Sequence, residues 1–329
     1  MTEYITIEFE QSGIELDEYL SLIYPDISKG FLRREVQAGH VTVDGEASLP
    51  SRRLKEGETV VLDIDDESAP MSPMAAAPKT IEILYENDDV LFVNKPAGLA
   101  AEPERWSPEK GSLSGSVQWM AAQLDEDKRY RPRMVHRLDK DTTGVVVFAK
   151  NLEEERHLRG LFEHGGVKKQ YLALVEGEHP LSDGEEELID LRLGPESKRG
   201  SKQRVDHKGK DSQTRVMVER RFKGYTLMRC FPLTGRTHQI RVHLAETGFP
   251  LVVDPFYGRR EEFALSDFKS SYKRKPGRPE RALIGRLTLH AERIQFQTLS
   301  GETLEVASPL PSDFVRVLKQ LAKIRPYSR

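Results

Sequence analysis

The spacing of apolar residues changes along the first part of the chain. Leu16, Leu20 and Ile23 recur at helical spacing, and Pro25-Asp26-Ile27-Ser28 reads as a loop ending on a helix-capping serine. A second helix is predicted from Lys29 to Gln37, closed by Gly39. The period then drops to two in Val41-Thr42-Val43, the chain turns at Asp44-Gly45, and a strand Thr59-Val60-Val61-Leu62 follows Glu56-Gly57. The pattern predicts a small α/β domain within residues 1–66. Residues 67–80 have no period and hold three prolines, so they read as a linker.

Residues 81–329 carry a longer series. Ile81–Glu86 and Val90–Val93 read as strands joined by the Asn87-Asp88-Asp89 turn. Further strands are predicted at Val145–Ala149, Gln170–Val175, Thr214–Glu219, Tyr225–Cys230 and Ile294–Thr298. Helical spacing marks Gly115–Leu124, Leu152–Phe162, Thr237–Glu246 and Pro311–Ile324. Many strands without regular β–α alternation predict an α+β domain on a largely antiparallel mixed sheet.

Composition narrows the options without choosing a function. The 329 residues are 37% hydrophobic, enough for a sizeable core, and 31% charged with a formal net charge of -3. A near-neutral chain has no global attraction for nucleic acid, so any RNA-binding surface must be local. The single cysteine, Cys230, excludes an intramolecular disulfide and a multi-cysteine metal site, and its apolar neighbours predict a buried thiol. The start Met1-Thr2-Glu3-Tyr4-Ile5 lacks the blocks of a signal peptide, and no apolar run reaches the ~18 residues of a membrane span. A cytoplasmic, membrane-free monomer is expected.

The chemistry concentrates at His136-Arg137-Leu138-Asp139-Lys140-Asp141-Thr142-Thr143-Gly144, a polar loop at the mouth of the apolar strand Val145–Ala149. Taken alone, it is a turn. The whole string resembles the signature of the RluA-type RNA pseudouridine synthases, in which His-Arg-Leu-Asp, a two-residue spacer and Thr-Ser/Thr-Gly carry the catalytic aspartate, here Asp139. Three more segments are similar to that family, in the same order: Asn94-Lys95-Pro96-Ala97-Gly98-Leu99, Lys168-Lys169-Gln170-Tyr171 and Gly235-Arg236-Thr237-His238-Gln239-Ile240-Arg241. The resemblance implies that Tyr171 packs against the target base and that Arg241 pairs with Asp139, with Arg236 the alternative partner. An arginine beside the core needs a carboxylate in any case, because an unpaired buried charge is costly. Lys95 is expected to be structural, and Asp254-Pro255-Phe256-Tyr257-Gly258, Arg286–Ala291 and Ser308–Pro311 to be fold-forming.

The N-terminal pattern resembles an S4 RNA-binding domain. Lys29, Arg33 and Arg34 on its second helix are expected to contact RNA, joined by Arg52, Arg53 and Lys55. Arg137 and Arg236 are expected to contact RNA near the site; the resemblance implies that Arg137 fills the space left by a flipped nucleotide. Basic loops at 198–210 and 269–281 are further candidates for phosphate contact. Where many relatives place a Val-Val-His-Pro-like string, this chain has Ala100-Ala101-Glu102-Pro103, which removes any role for a histidine there.

No metal or organic cofactor is expected, since the histidines show no ligand spacing. Hydrolysis of a glycosidic bond uses two carboxylates. An isomerase that reuses its base needs only one, which leaves Asp141 as a loop residue. The rivals are an RNA-binding module without catalysis and a nucleoside hydrolase using Asp139 with Asp141. For the isomerase, large-subunit ribosomal RNA is the expected substrate and transfer RNA the alternative.

Overall fold

The computed structural model describes residues 2–24, 27–64, 79–103, 111–124, 130–197, 201–273, 277 and 279–327. Most of the expected linker 67–80, Pro25-Asp26 and parts of both basic loops lie outside them. Spatial proximity groups the chain into two units that interleave in sequence: residues 1–81, 100–133 and 149–153 form one, and 82–99, 134–148 and 154–329 the other.

The first unit opens with strand β1 (Thr2–Thr6), absent from the expectation, then α1 (Leu16–Ile23), α2 (Lys29–Ala38), β2 (Val41–Val43), β3 (Glu46–Ala47) and β4 (Thr59–Asp63). The strands form a four-stranded sheet ordered β1-β4-β2-β3. Leu16, Tyr19 and Leu20 of α1 and Leu32 and Val36 of α2 bury against Val41, Val43, Val60 and Leu62. Local chemistry sets the ends of α2. The Ser28 hydroxyl accepts from the Phe31 amide at 3.3 Å, and Gly39 takes the left-handed conformation that ends the helix.

The second unit holds most of a ten-stranded sheet. Its chain order is β5 (Glu82–Glu86), β6 (Val90–Lys95), β7 (Arg133–Met134), β8 (Thr143–Ala149), β9 (Lys168–Glu176), β10 (Glu186–Asp190), β13 (Gln213–Phe222), β14 (Tyr225–Pro232), β15 (Leu289–Gln297) and β16 (Thr303–Ala307). A separate two-stranded ribbon pairs β11 (Leu193–Pro195) with β12 (Gln203–Val205). The main path runs β10-β13-β14-β9-β15-β8-β6-β5. Its ladders are mostly antiparallel, with β15 and β8 parallel. This is the expected α+β architecture.

Four helices complete the chain: α3 (Leu113–Ala122), α4 (Leu152–Glu163), α5 (Gln239–Glu246) and α6 (Ser312–Ile324). Helix α6 buries Phe314, Val317 and Leu321 at helical spacing, as its sequence predicts. Helix α3 begins two residues before the predicted Gly115, because Ser112 caps it by accepting from the Gly115 amide at 3.0 Å.

Two features of the sheet place the site. Strand β8 is buried along its whole length, as a strand covered on both faces should be. At its start, Gly144 lies opposite Ala291 of β15 with φ +126°, and a Cβ there would sit 2.1 Å from the Ala291 carbonyl oxygen. Only glycine fits so close an approach. The Thr-Thr-Gly end of the motif therefore fixes how the preceding loop leaves the sheet.

Candidate active site

Asp139 sits in the loop before β8, where the Thr142 amide closes a turn on the Asp139 carbonyl at 3.1 Å. Lys95, at the end of β6, holds this loop from beneath. Its ammonium is fully buried and donates to the carbonyls of Lys140 (2.7 Å), Thr142 (2.9 Å) and Pro96 (3.1 Å). The Gly98 amide adds a bond to the Lys140 carbonyl at 3.0 Å. Burial pulls the Lys95 pKa down to about 7, with the carboxylates of Asp141 and Asp139 opposing. Three carbonyl acceptors fit the ammonium, since a neutral amine has only two hydrogens to give.

Thr143 braces the other side. The His290 Nε2 lies 3.1 Å from the Ser308 carbonyl, which can only accept, so Nδ1 is left to accept from the Thr143 hydroxyl at 2.9 Å. Burial lowers the His290 pKa to about 4, which keeps the ring neutral. Arg286 reaches the same hydroxyl at 3.3 Å and is itself held in a bidentate pair by Asp313 at 2.7 and 2.8 Å. His136 is also structural. It accepts from the Val147 amide at 3.1 Å and stacks on Phe162, and burial drives its pKa down to about 3.

Arg241 approaches Asp139 from α5. This helix is buried nearly all round, so the guanidinium is only 4% exposed. Its Nη1 donates to Asp139 Oδ2 at 2.8 Å. Its Nε and Nη2 donate to the two oxygens of Asp254 at 2.7 and 2.8 Å. Asp254 is completely buried and also accepts from the amides of Phe256 (2.9 Å) and Tyr257 (3.2 Å). Burial disfavours the Arg241 charge, but the carboxylates of Asp254 and Asp139 outweigh it and raise the pKa above the usual arginine value. The rings of Phe256 and Tyr257 lie 5.6 and 5.1 Å from the guanidinium.

Asp139, Arg241, Tyr171, Arg137 and Arg236 all line one pocket of about 450 Å³, a volume suited to a small organic ligand. Tyr171, on β9, is half-buried; burial and then the Asp139 charge raise its pKa, so it stays a neutral phenol. Arg137 is exposed at the pocket edge, and the Arg236 Nε is tied to the Asp211 carbonyl at 3.0 Å. Lys29, Arg33 and Arg34 belong to the first unit and are not part of this pocket. Lys29 pairs with Glu18 at 2.5 Å and Arg33 with buried Asp17 at 2.5 Å, whereas Arg34 lies over the Phe31 ring at 5.9 Å.

Sequence reasoning missed three groups at the site. Asp254 was grouped with fold-forming residues; the clue was a buried arginine with three donor edges and only one carboxylate assigned to it. Lys169 lines the pocket and donates to the Thr234 carbonyl at 3.3 Å, with burial lowering its pKa to about 8. His238 lies outside the helix, whose predicted start is Thr237. Its left-handed backbone delays α5 to Gln239 and turns the ring toward Asp139. Part of the expected basic loop at 198–210 is also strand β12, paired with β11. Cys230 is fully buried and its thiol is pushed up to about 12. Among the described residues, no cluster of three or more His, Cys, Asp or Glu is arranged to hold a metal ion.

Residues 89–246 match the family model described as RNA pseudouridylate synthase. Over 313 residues the chain is 33% identical to the ribosomal large subunit pseudouridine synthase D of Xanthomonas campestris, covering 94% of this chain and 89% of that protein. The chain belongs to the RNA pseudouridine synthases. Within that family it is of the RluA type, and it is an isomerase. It is also 31% identical to the ribosomal large subunit pseudouridine synthase C of Escherichia coli, across 98% of this chain and 97% of that one. Human RNA pseudouridylate synthase domain containing 4 shares the pseudouridine synthase fold, with a TM-score of 0.59, 24% identity, and coverage of 73% of this chain and 92% of that one. Among the described residues, no helix of the synthase is long and apolar enough to cross a membrane.

Proposed function

We propose that this pseudouridine synthase isomerises uridine in large-subunit ribosomal RNA, with Asp139 as its catalytic carboxylate. The observation that carries the reading is the fixed chain Asp254–Arg241–Asp139 beside Tyr171 in one pocket. The RNA class is supported by relatives named as ribosomal large subunit pseudouridine synthases, which align over nearly the whole chain.

In the reaction the N1–C1′ bond breaks, the uracil turns, and a C5–C1′ bond forms. The C5 proton leaves and N1 regains a proton. An anionic oxygen at the sugar can capture or stabilise positive charge at C1′ or accept the 2′ proton. Each route needs an ionised carboxylate at a fixed position. Arg241 supplies the fixed position, because it donates to Oδ2 and Asp254 leaves it no freedom to swing. Tyr171 offers an aromatic face to a base drawn from its stack, and Arg137 a guanidinium for the vacated place. No second carboxylate is needed, because no water is to be activated.

Residues 1–66 serve in this reading as an S4-like RNA-binding domain and 81–329 as the catalytic domain. Exposed Arg34 and the half-exposed cations of α2 meet phosphate. In this reading the enzyme works in the cytoplasm, as a monomer.

The test is to map pseudouridine in ribosomal RNA from a strain lacking the gene after incubation with purified protein. Wild type is expected to add pseudouridine at one or a few sites of the large-subunit RNA. Asp139→Asn should lower the rate on the order of 10³-fold or more while leaving RNA binding intact. Undiminished activity of the variant refutes the role of Asp139, and new pseudouridine only in transfer RNA refutes the substrate.

A further inference from the structure

His238 adopts a backbone conformation that its local role does not explain. It is left-handed, with φ 55° and ψ 17°, and among the described residues the only other non-glycine with positive φ is Asp44 in a turn. Histidine tolerates this region better than most residues, yet such conformations persist where surrounding contacts demand them. The residue stands at the N-cap of α5, but its side chain makes no capping hydrogen bond. The ring is instead directed between two groups. Its Nε2 lies 3.9 Å from Asp139 Oδ2, and its Nδ1 lies 2.9 Å from the Tyr257 hydroxyl.

The hydrogen-bond order favours a ring proton on the nitrogen that faces Asp139. The Gln203 amide donates to the Tyr257 hydroxyl oxygen at 2.7 Å, and an amide N–H can only donate. The phenolic proton is then free to point at His238 Nδ1, which accepts it. A neutral ring that accepts at Nδ1 carries its hydrogen on Nε2, the nitrogen facing Asp139. Burial lowers the His238 pKa; Asp139 and Asp254 oppose it, while Arg241 and Arg137 disfavour a further positive charge. The ring is therefore neutral near pH 7.

Both groups near the carboxylate converge on the same oxygen. Arg241 donates to Oδ2 at 2.8 Å, and the His238 Nε2 faces the same oxygen at 3.9 Å, beyond direct hydrogen-bond distance. Oδ1 has no hydrogen-bond partner among the described residues. We propose that His238 is a positioning residue whose tautomer is set by Tyr257, and that with Arg241 it holds Oδ2 of Asp139 so that Oδ1 is the oxygen presented to the ribose. This rests on the reading of Asp139 as the catalytic carboxylate. It extends that reading to a division of labour between the two oxygens.

The decisive variant is Tyr257→Phe, which keeps the ring beneath Arg241 and removes only the hydroxyl. Histidine-labelled full-length protein is compared by ¹⁵N spectroscopy at pH 7.5, with the His238 signals assigned by their loss in His238→Gln. Wild type should show the Nε2–H tautomer, and Tyr257→Phe should move population to Nδ1–H. Single-turnover rates on an in vitro transcript of large-subunit ribosomal RNA should fall about 10-fold in Tyr257→Phe and about 100-fold in His238→Ala. RNA affinity should stay within about two-fold in both, because the effect lies on positioning rather than binding. His238→Gln, whose amide can donate from nearly the same place, should recover much of the rate lost in His238→Ala. An Nδ1–H tautomer in the wild type overturns the inference. So do unchanged single-turnover rates in folded Tyr257→Phe and His238→Ala. If those variants retain full activity while Asp139→Asn is inactive, only the role of His238 falls; if Asp139→Asn is active, the underlying reading falls.

Discussion

Asp254 in the second unit and Asp17 in the N-terminal unit are both fully buried, and both meet an arginine. Around Asp254 each charge is enclosed. Arg241 is 4% exposed, grips both Asp254 oxygens and spends its remaining edge on Asp139. Around Asp17 the acid is buried but the cations are not. Arg33 is 53% exposed and reaches one oxygen, Lys29 stands 3.6 Å away, and Oδ1 has no hydrogen-bond partner among the described residues. Glu18 beside it is shared by Lys29, Arg131 and Arg133 at 2.5, 3.3 and 3.2 Å. Burial raises the Glu18 pKa, but these cations outweigh it and hold it below the ordinary carboxylate value. A walled-in arginine suits chemistry that needs one geometry. Half-exposed arginines and lysines keep their buried acids neutralised and still present charge to an anionic partner.

The contrast breaks most visibly on removing each acid. Asp254→Ala strands a buried guanidinium and should cost about 3–5 kcal/mol, with loss of activity. Asp17→Ala leaves cations that water can reach and should cost about 1 kcal/mol. Denaturant melts of the two variants should differ by that margin; equal losses would erase the distinction.

Acid should act on the second unit first. The folded pKa of His290 is about 4, below the ordinary value near 6.5, so between those values the unfolded chain binds more protons than the native one. Stability therefore falls as pH drops through that window, by on the order of 3 kcal/mol for this group. His136, at about 3, extends the same trend. Hydrogen exchange at pH 7 and 4.5 should show protection lost along β8 and β15 before β2 and β4, and His290→Gln should flatten the pH slope.

Lys95→Met tests the support beneath the loop. It removes three hydrogen bonds to backbone carbonyls, two of them on the Asp139 loop, and should cost about 2 kcal/mol. The single-turnover rate should fall while RNA affinity holds. A variant as active and stable as wild type would show that the loop holds its own shape.

The smallest effect belongs to the exposed side of the comparison. Arg33→Ala should change stability by less than about 1 kcal/mol. If α2 meets phosphate, it should also weaken RNA binding and reduce the salt dependence by about one charge. An unchanged salt slope would assign Arg33 wholly to Asp17.

Much of this was legible in the residues themselves. The period of the apolar positions foretold the helices of the N-terminal unit, α6, and the strands around β8. The motif order foretold that Asp139, Tyr171 and Arg241 share a site, though Arg241 lies 102 positions beyond Asp139. These signals are local: they report which face of a segment is apolar, where a helix is capped, and where only glycine fits.

Hydrogen-bond partners are chosen by approach in space, which periodicity does not encode. Asp254 reads as a turn residue until the turn after α5 folds back and brings its carboxylate under Arg241. Strand β12 reads as a basic loop until its amide meets Tyr257. His238 reads as the second residue of a helix until its left-handed backbone swings the ring out of that helix and toward the carboxylate. Sequence alone singled out Asp139 and the residues that line a pocket with it. The tertiary structure decided which oxygen of Asp139 meets Arg241, because that depends on α5, with its arginine gripped by Asp254, reaching the loop before β8 in space.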